Sequence, residues 1–167
     1  RFTIGQTLIE PMTIHAIGRD GADRGLRARA ILQRVGLDAD AAFAKYPHEF
    51  SGGQRQRIAI ARCLTLSPEV LVLDEAVSAL DVSVQAQVVN LLAALRAEMG
   101  LTLLFIAHDL SMVRHLCDRV AVMYLGQLVE LGPTEQLFSQ PRHPYSRLLI
   151  ESNPIADPQR ERARQLP

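Results

Sequence analysis

Two short apolar segments, separated by a segment of helix length, constrain the fold of this chain more than any other feature. Residues 70–73 read Val-Leu-Val-Leu and residues 101–107 read Leu-Thr-Leu-Leu-Phe-Ile-Ala. Such runs are typical of β-strands buried on both faces of a sheet. Residues 82–99 carry apolar side chains on one helical face and precede Gly100, a residue type that commonly ends helices. Because strands joined by a crossover helix pair in parallel, the sequence predicts an α/β fold.

Polar residues follow directly after both predicted strands. Asp74 and Glu75 follow the first strand, and His108 follows the second. The carboxyl ends of parallel strands lie at one edge of a sheet, where α/β proteins bind ligands. There an aspartate can hold Mg²⁺ and a glutamate can polarise an attacking water. Acidic pairs also mark solvated strand ends, and a histidine often has a structural role, so these residues alone leave both interpretations open.

A glycine-rich sequence begins another predicted helix. Residues 50–57 read Phe-Ser-Gly-Gly-Gln-Arg-Gln-Arg. Ser51 and Gln54 have the spacing of a capping box, so the helix should start at Ser51 and extend to about Leu66. Glycine disfavours helix by about 1 kcal/mol relative to alanine, so two in succession need a reason. Close approach of a phosphate to free N–H groups is one reason, and an ordinary helix cap is the alternative.

Composition narrows the class of protein. The 167 residues have zero net charge and a charged fraction of 22%, which excludes a disordered chain and argues against coating of nucleic acid. Cys63 and Cys117 lack zinc-site spacing and are interpreted as small core residues. We expect neither a membrane-spanning helix nor an export signal. The first third of the chain predicts helices, and residues 120–131 predict a hairpin at the sheet edge.

Four motifs, taken in their order and spacing, resemble those of the ATP-binding cassette ATPases. They are residues 50–54 (Phe-Ser-Gly-Gly-Gln), 70–75 (Val-Leu-Val-Leu-Asp-Glu), 78–81 (Ser-Ala-Leu-Asp) and His108. Further segments, at residues 46–50, 81–87 and 143–145, resemble the dipeptide and oligopeptide importer branch of that family. The resemblance covers nearly the whole chain. It implies a partial P-loop NTPase-type parallel sheet with an N-terminal helical subdomain that carries the signature motif.

The resemblance also implies how the glycine-rich segment would be used. In the family, ATP is bound between the phosphate loop of one subunit and the signature helix of a second. By that resemblance Ser51, Gly52 and Gly53 would contact the γ-phosphate held by the partner subunit. Gln54 would be the last residue of the signature motif.

The remaining candidate residues take their roles from the same resemblance. Asp74 would hold Mg²⁺, Glu75 would be the general base, and His108 would contact the γ-phosphate. The segment from Ser78 to Asp81 would be the D-loop, which crosses the dimer interface. These roles agree with the chemistry of phosphoryl transfer, which needs mainly positioning and charge stabilisation around a metal and a water.

The implied protein is the nucleotide-binding subunit of an importer that couples ATP hydrolysis to uptake of peptides or similar small solutes. Its partners would be a second nucleotide-binding subunit, transmembrane permease subunits and, indirectly, a solute-binding protein, and not nucleic acid. Its place would be cytoplasmic and peripheral, on the inner face of the cell membrane.

The P-loop of the family is absent from the sequence, and so are its Q-loop glutamine and its base-stacking aromatic. The P-loop requires Gly-x-x-x-x-Gly-Lys-Ser/Thr, and the one lysine, Lys45, lies between Ala44 and Tyr46. We therefore expect the C-terminal portion of a cassette, inactive by itself although its parent protein is an ATPase. The expected domains are a helical signature subdomain at 1–66, the C-terminal half of the nucleotide-binding core at 67–139 and a C-terminal extension at 140–167.

Two other functions share some of these features. Chromosome-maintenance and DNA-repair ATPases of the SMC type carry a signature, an acidic strand end, a D-loop and a histidine. They also have long heptad arms, which this sequence lacks, and contact with DNA phosphates needs clustered cations. A non-catalytic module that only donates its signature helix is the third possibility.

Overall fold

A computed structural model of the chain describes residues 2–152. The chain divides into two compact units, Arg1–Ile106 and Ala107–Pro167. The domain boundaries expected at 66/67 and 139/140 stay predictions, and the expected C-terminal extension lies outside the described residues from position 153 onward. None of the helices in the described part has the length and apolar character needed to cross a membrane.

The first unit begins with helices that share one core. Their bounds are α1 (Ile4–Ile14), α2 (Gly21–Arg34), α3 (Ala39–Phe43), a 3-10 turn (Pro47–Glu49) and α4 (Gly52–Leu64). Apolar residues at helical spacing point inward, and those fully buried include Ile4, Leu8, Met12, Leu32 and Leu64. An ion pair between Glu10 and Arg62, at 3.1 Å, joins α1 to α4 at the surface. The first third of the chain is therefore helical, as the sequence predicts.

The crossover unit follows these helices. Strand β1 (Val70–Asp74), helix α5 (Val82–Met99) and strand β2 (Thr102–Ile106) succeed each other, and the two strands are parallel. Val70 lies opposite Thr102, and Asp74 lies opposite Ile106. Gly100 ends α5 in the left-handed region, at φ 65°. The predicted strand–helix–strand unit is confirmed.

The expected burial of both strand faces was wrong for the described residues. Leu71 and Leu73 are each 5% exposed, whereas Val70 and Val72 on the other face are 55% and 57% exposed. Leu104 on β2 is also exposed. The sheet in the described part of this unit has two strands, and the other elements of the unit cover only one face of that sheet.

Cys63 also departs from expectation. It is exposed, and only Cys117 is partly buried, so the interpretation of Cys63 as a core residue was wrong. Helix α4 buries Ile58, Ile60, Ala61 and Leu64, which together define its inward face. Cys63 lies off that face, because one residue rotates the side chain by about 100° around a helix.

The second unit contains α6 (Leu110–Leu116), β3 (Arg119–Tyr124), β4 (Gln127–Pro133), α7 (Thr134–Ser139) and α8 (Pro144–Ser152). Strands β3 and β4 form the predicted antiparallel hairpin, with Leu125 and Gly126 at φ 48° and 77° in its tight turn. The hairpin forms a sheet of its own in the described chain. Its expected place at the edge of the parallel sheet was therefore wrong.

The carboxylate of Glu130, on β4, accepts hydrogen bonds from the residues just before α8. The N–H groups of Arg142 and His143 donate to its two carboxylate oxygens, at 2.9 and 3.0 Å. The buried Ser146 hydroxyl lies beside the carboxylate, although outside good hydrogen-bond geometry. The Ser146 hydroxyl and these two N–H groups lower the pKa of Glu130, against the opposing effect of burial. The carboxylate therefore stabilises the attachment of residues 142–146 to the hairpin.

We predict that Glu130→Gln weakens this attachment, and that acid weakens it in the natural protein. Because the folded pKa is lowered, the stabilisation is complete above the ordinary value of 4.5 and is lost as pH falls through the folded value. Amide hydrogen exchange of residues 142–146, corrected for intrinsic rates, measures it. Glu151→Gln, an exposed change on α8, is the control. Unchanged protection in Glu130→Gln would contradict this role.

Candidate functional site

The glycine-rich segment forms the capped N-terminus of α4. The N–H of Gln54 donates to Oγ of Ser51 at 3.3 Å, and the N–H of Ser51 donates to Oε1 of Gln54 at 3.0 Å. The predicted capping box is therefore confirmed, with Ser51 as cap and Gly52 as first helical residue. As an acceptor in the cap, the Ser51 hydroxyl keeps its own proton available for donation to a ligand.

Gly52 and Gly53 present unpaired backbone donors at this helix end. In residues 2–152 their N–H groups have no hydrogen-bond acceptor, as expected for the first turn of a helix. Ser51 is exposed, and the two glycines are partly buried. Two N–H groups, one hydroxyl and the positive end of the α4 dipole thus lie together at one helix end, which suits a phosphate group.

The same glycines are also needed for packing within the chain. A Cβ atom added to Gly53 would overlap Cγ1 of Val84, and one added to Gly52 would lie 3.2 Å from Cδ2 of Leu80. Leu80 belongs to the D-loop and Val84 to the first turn of α5. A second reason for the glycines therefore comes from the fold: they let the N-termini of α4 and α5 approach closely.

The acidic pair lies at the carboxyl end of β1, as predicted. Asp74 is the last residue of the strand, and both carboxylates are on exposed residues. Glu75 has a φ of 45°, in the left-handed region that residues with a side chain rarely adopt. Its N–H donates to the carbonyl of Ile106 at 3.0 Å, which continues the parallel ladder by one bond. The backbone therefore leaves the extended conformation directly after Asp74.

The D-loop folds back on Glu75. The N–H and the hydroxyl of Ser78 both donate to the Glu75 carbonyl, at 3.1 and 2.9 Å. Asp81 precedes the first residue of α5, yet its carboxylate makes no capping hydrogen bond there. Since aspartate usually caps a helix at this position, its exposed carboxylate is left for other contacts.

His108 lies in the second unit, between β2 and α6, and is exposed. The residue after it, Asp109, caps α6 by accepting from the N–H groups of Ser111 and Met112 at 2.8 and 3.4 Å. The local backbone of His108 is therefore fixed by a capped helix. Its expected closeness to the acidic pair of the first unit stays a prediction.

The side chains that could bind Mg²⁺ are the carboxylates at the end of β1. No cluster of three or more His, Cys, Asp or Glu side chains suitable for a metal exists in residues 2–152. Mg²⁺ in phosphate-transfer sites is held by one or two carboxylates together with substrate phosphates and waters. The exposed carboxylate of Asp74 is compatible with that requirement.

The sequence analysis did not identify the side chains that connect α4 and α5 to their neighbouring segments. Arg57 donates to the carbonyl of Val35 at 3.1 Å and to Oε1 of Gln87 at 3.3 Å, so it links α4 to the end of α2 and to α5. Gln85 donates to the carbonyl of Val77, just before the segment from Ser78 to Asp81, at 3.0 Å. The two glutamines belong to the segment at 81–87 that carried part of the resemblance, but spacing alone does not reveal these contacts.

Comparison with known families gives two matches. Residues 3–78 match the family described as ABC transporter, and residues 129–167 match the family described as oligopeptide/dipeptide transporter, C-terminal region. The first match includes the α4 N-terminus, the acidic pair and Ser78. The second begins in β4 and includes Glu130, with residues 153–167 outside the described structure.

The chain is similar to curated proteins over nearly its whole length. It is 53% identical over 166 residues to the glutathione import ATP-binding protein GsiA of Salmonella choleraesuis strain SC-B67, covering 99% of this chain and 26% of that protein. Against GsiA of Escherichia coli K12 the identity is 52% over 162 residues, covering 97% and 26%. The chain thus spans about a quarter of the length of these relatives.

A solved structure shows the same fold. The match is CbiO1 of Clostridium perfringens, part of the ABC transporter complex CbiONQ, with a TM-score of 0.72 and 28% identity. The alignment covers 83% of this chain and 53% of CbiO1.

We predict that Gly53→Ala destabilises the protein by about 1–3 kcal/mol, because the added methyl group overlaps Val84. The same change in a Val84→Ala background should cost less, since the obstructing side chain is gone. Thermal or urea unfolding of the natural full-length protein measures both. Gly21→Ala, at the first residue of α2 with open space around its Cβ, is the matched control and should be neutral or stabilising. Equal stability of Gly53→Ala and wild type would contradict the packing role.

Proposed function

Because this chain belongs to the ABC transporter family and to its oligopeptide/dipeptide importer branch, we propose that it supplies the signature-motif half of an ATP-hydrolysing importer subunit. The resemblance and the fold class expected from the sequence are both confirmed. The SMC-type alternative has no support, since residues 129–167 match a transporter region instead.

The observation that best supports this function is the open N-terminus of α4. Within residues 2–152 the N–H groups of Gly52 and Gly53 have no acceptor, and they lie beside the exposed Ser51 at the same helix end. We infer that this surface binds the γ-phosphate of ATP that is held by a partner subunit. Gln54 would be the last residue of this binding motif. Backbone N–H groups and a helix dipole compensate phosphate charge without a lysine at this place.

The residues at and after the end of β1 would bind the metal ion and accept the proton during hydrolysis. Asp74 would bind Mg²⁺, which supplies charge neutralisation to the phosphates when bound. Glu75 would accept a proton from the attacking water, since it is an exposed carboxylate directly after the strand end. Ser78 and Asp81 would position the D-loop at the subunit interface. His108 would donate to the γ-phosphate oxygens.

The partners follow from the family. We propose a second nucleotide-binding subunit, transmembrane permease subunits that hold the protein at the inner face of the membrane, and a solute-binding protein that delivers the solute. The solute is a peptide or a similar small molecule. A glutathione-like tripeptide agrees with the names of the similar proteins and with the match at residues 129–167.

We predict that Glu75→Gln in the natural full-length protein abolishes ATP turnover and leaves nucleotide binding intact. The amide keeps the shape of the side chain but cannot accept the proton, a loss of about a hundredfold or more. Steady-state hydrolysis and Mg-ATP titration measure the two properties. Glu69→Gln, just before the opposite end of β1, is the control and should hydrolyse normally. Turnover within about threefold of wild type would show that Glu75 is not the base.

We predict that Ser51→Ala reduces hydrolysis by more than its loss of stability explains. Removing the cap should cost about 1 kcal/mol. Thr3→Ala is the matched control, because Thr3 and Gln6 form the same capping box at the start of α1. Both variants should melt lower than wild type, and only Ser51→Ala should lose hydrolysis. Normal hydrolysis by Ser51→Ala would show that Ser51 acts only as a helix cap.

A further inference from the structure

The carbonyl oxygen of Val77 is the point at which the loop of residues 75–81 is attached to α5. The N–H of Leu80 donates to this oxygen at 3.1 Å, and Nε2 of Gln85 donates to it at 3.0 Å. Val77 is buried, at 3% exposure, and Gln85 is the fourth residue of α5. The Gln85 amide thus joins a loop oxygen to a rigid helix.

Chemistry assigns the orientation of this amide. A carbonyl oxygen only accepts hydrogen bonds, so Gln85 must present its NH₂ group to Val77. Gln87 lies two residues further along α5 and faces the Arg57 guanidinium, which only donates. Gln87 must therefore present its carbonyl oxygen. Two neighbouring glutamines act with opposite polarity, one as donor and one as acceptor.

The attachment matters because the loop begins at a strained residue. Glu75 is held at φ 45°, and its carbonyl accepts both donors of Ser78. A left-handed conformation is strained for a residue with a side chain and persists only where the surrounding structure holds it. A loop released at Val77 can relax, and a shift of about 1 Å in a reacting group can cost a hundredfold in rate.

We propose that Gln85 is a positioning residue, which holds the loop of residues 75–81 through the Val77 carbonyl and thereby keeps the Glu75 carboxylate in place for hydrolysis. This inference rests on the proposed ATPase function. Gln85 touches neither nucleotide nor water in this scheme. Its contribution is expressed in turnover, and nucleotide binding does not depend on it.

The experiment makes one chemical change at two neighbouring positions. Gln85→Glu replaces the donor by a carboxylate facing a carbonyl, whereas Gln87→Glu keeps an acceptor and places a negative charge opposite Arg57. In the natural full-length protein, kcat of Gln85→Glu should fall about tenfold or more with KM within about twofold of wild type. Gln87→Glu should stay within about twofold in both parameters. Melting temperatures of the two variants are measured alongside.

Two further variants keep the test decisive if Gln85→Glu folds poorly. Gln85→Met has similar volume and no donor, so it should also lose kcat, while Gln85→Lys restores a donor and should recover part of it. Equal kcat for wild type and Gln85→Met, or a kcat loss that follows melting temperature in both glutamine positions, would overturn the inference. A wild-type protein without ATP hydrolysis would instead contradict the proposed function itself, and the inference with it.

Discussion

The close approach of the N-termini of α4 and α5 is the contact on which the arrangement of the first unit depends. It is possible only because Gly53 has no side chain where Val84 packs. One turn further along, Arg57 bridges the same two helices and also holds the end of α2, where Gly36 leaves room for its guanidinium. The N-terminal turn of α4 and the segment from Ser78 to Asp81 are consequently parts of one packed surface and not two independent loops.

Local features of this structure could be predicted from the sequence because their causes are local. The capping box of Ser51 and Gln54 is set by a spacing of three residues, and the parallel strands are set by apolar runs around a crossover helix. The acidic pair at the strand end follows from the same pattern. Membership of the importer branch could be recognised because several weak motifs occur in one order.

The remaining features depend on contacts between distant parts of the chain. The glycines at 52 and 53 suggested a ligand, but their contact with Leu80 and Val84 is visible only once α4 and α5 are packed. The exposed face of β1 depends on which elements cover the sheet, and the exposure of Cys63 depends on where the buried stripe of α4 falls. Neither is encoded in the spacing of neighbouring residues.

The left-handed backbone at Glu75 has a consequence for how this chain can evolve. Glycine would adopt that conformation without strain, and asparagine with less, so a carboxylate is retained there against the preference of the backbone. Substitutions that relax the turn would raise thermal stability and would spread under selection for folding alone. Under the proposed role of Glu75, a glutamate at this position would indicate sustained selection for activity, and drift to glycine would be an early sign that this selection has ended.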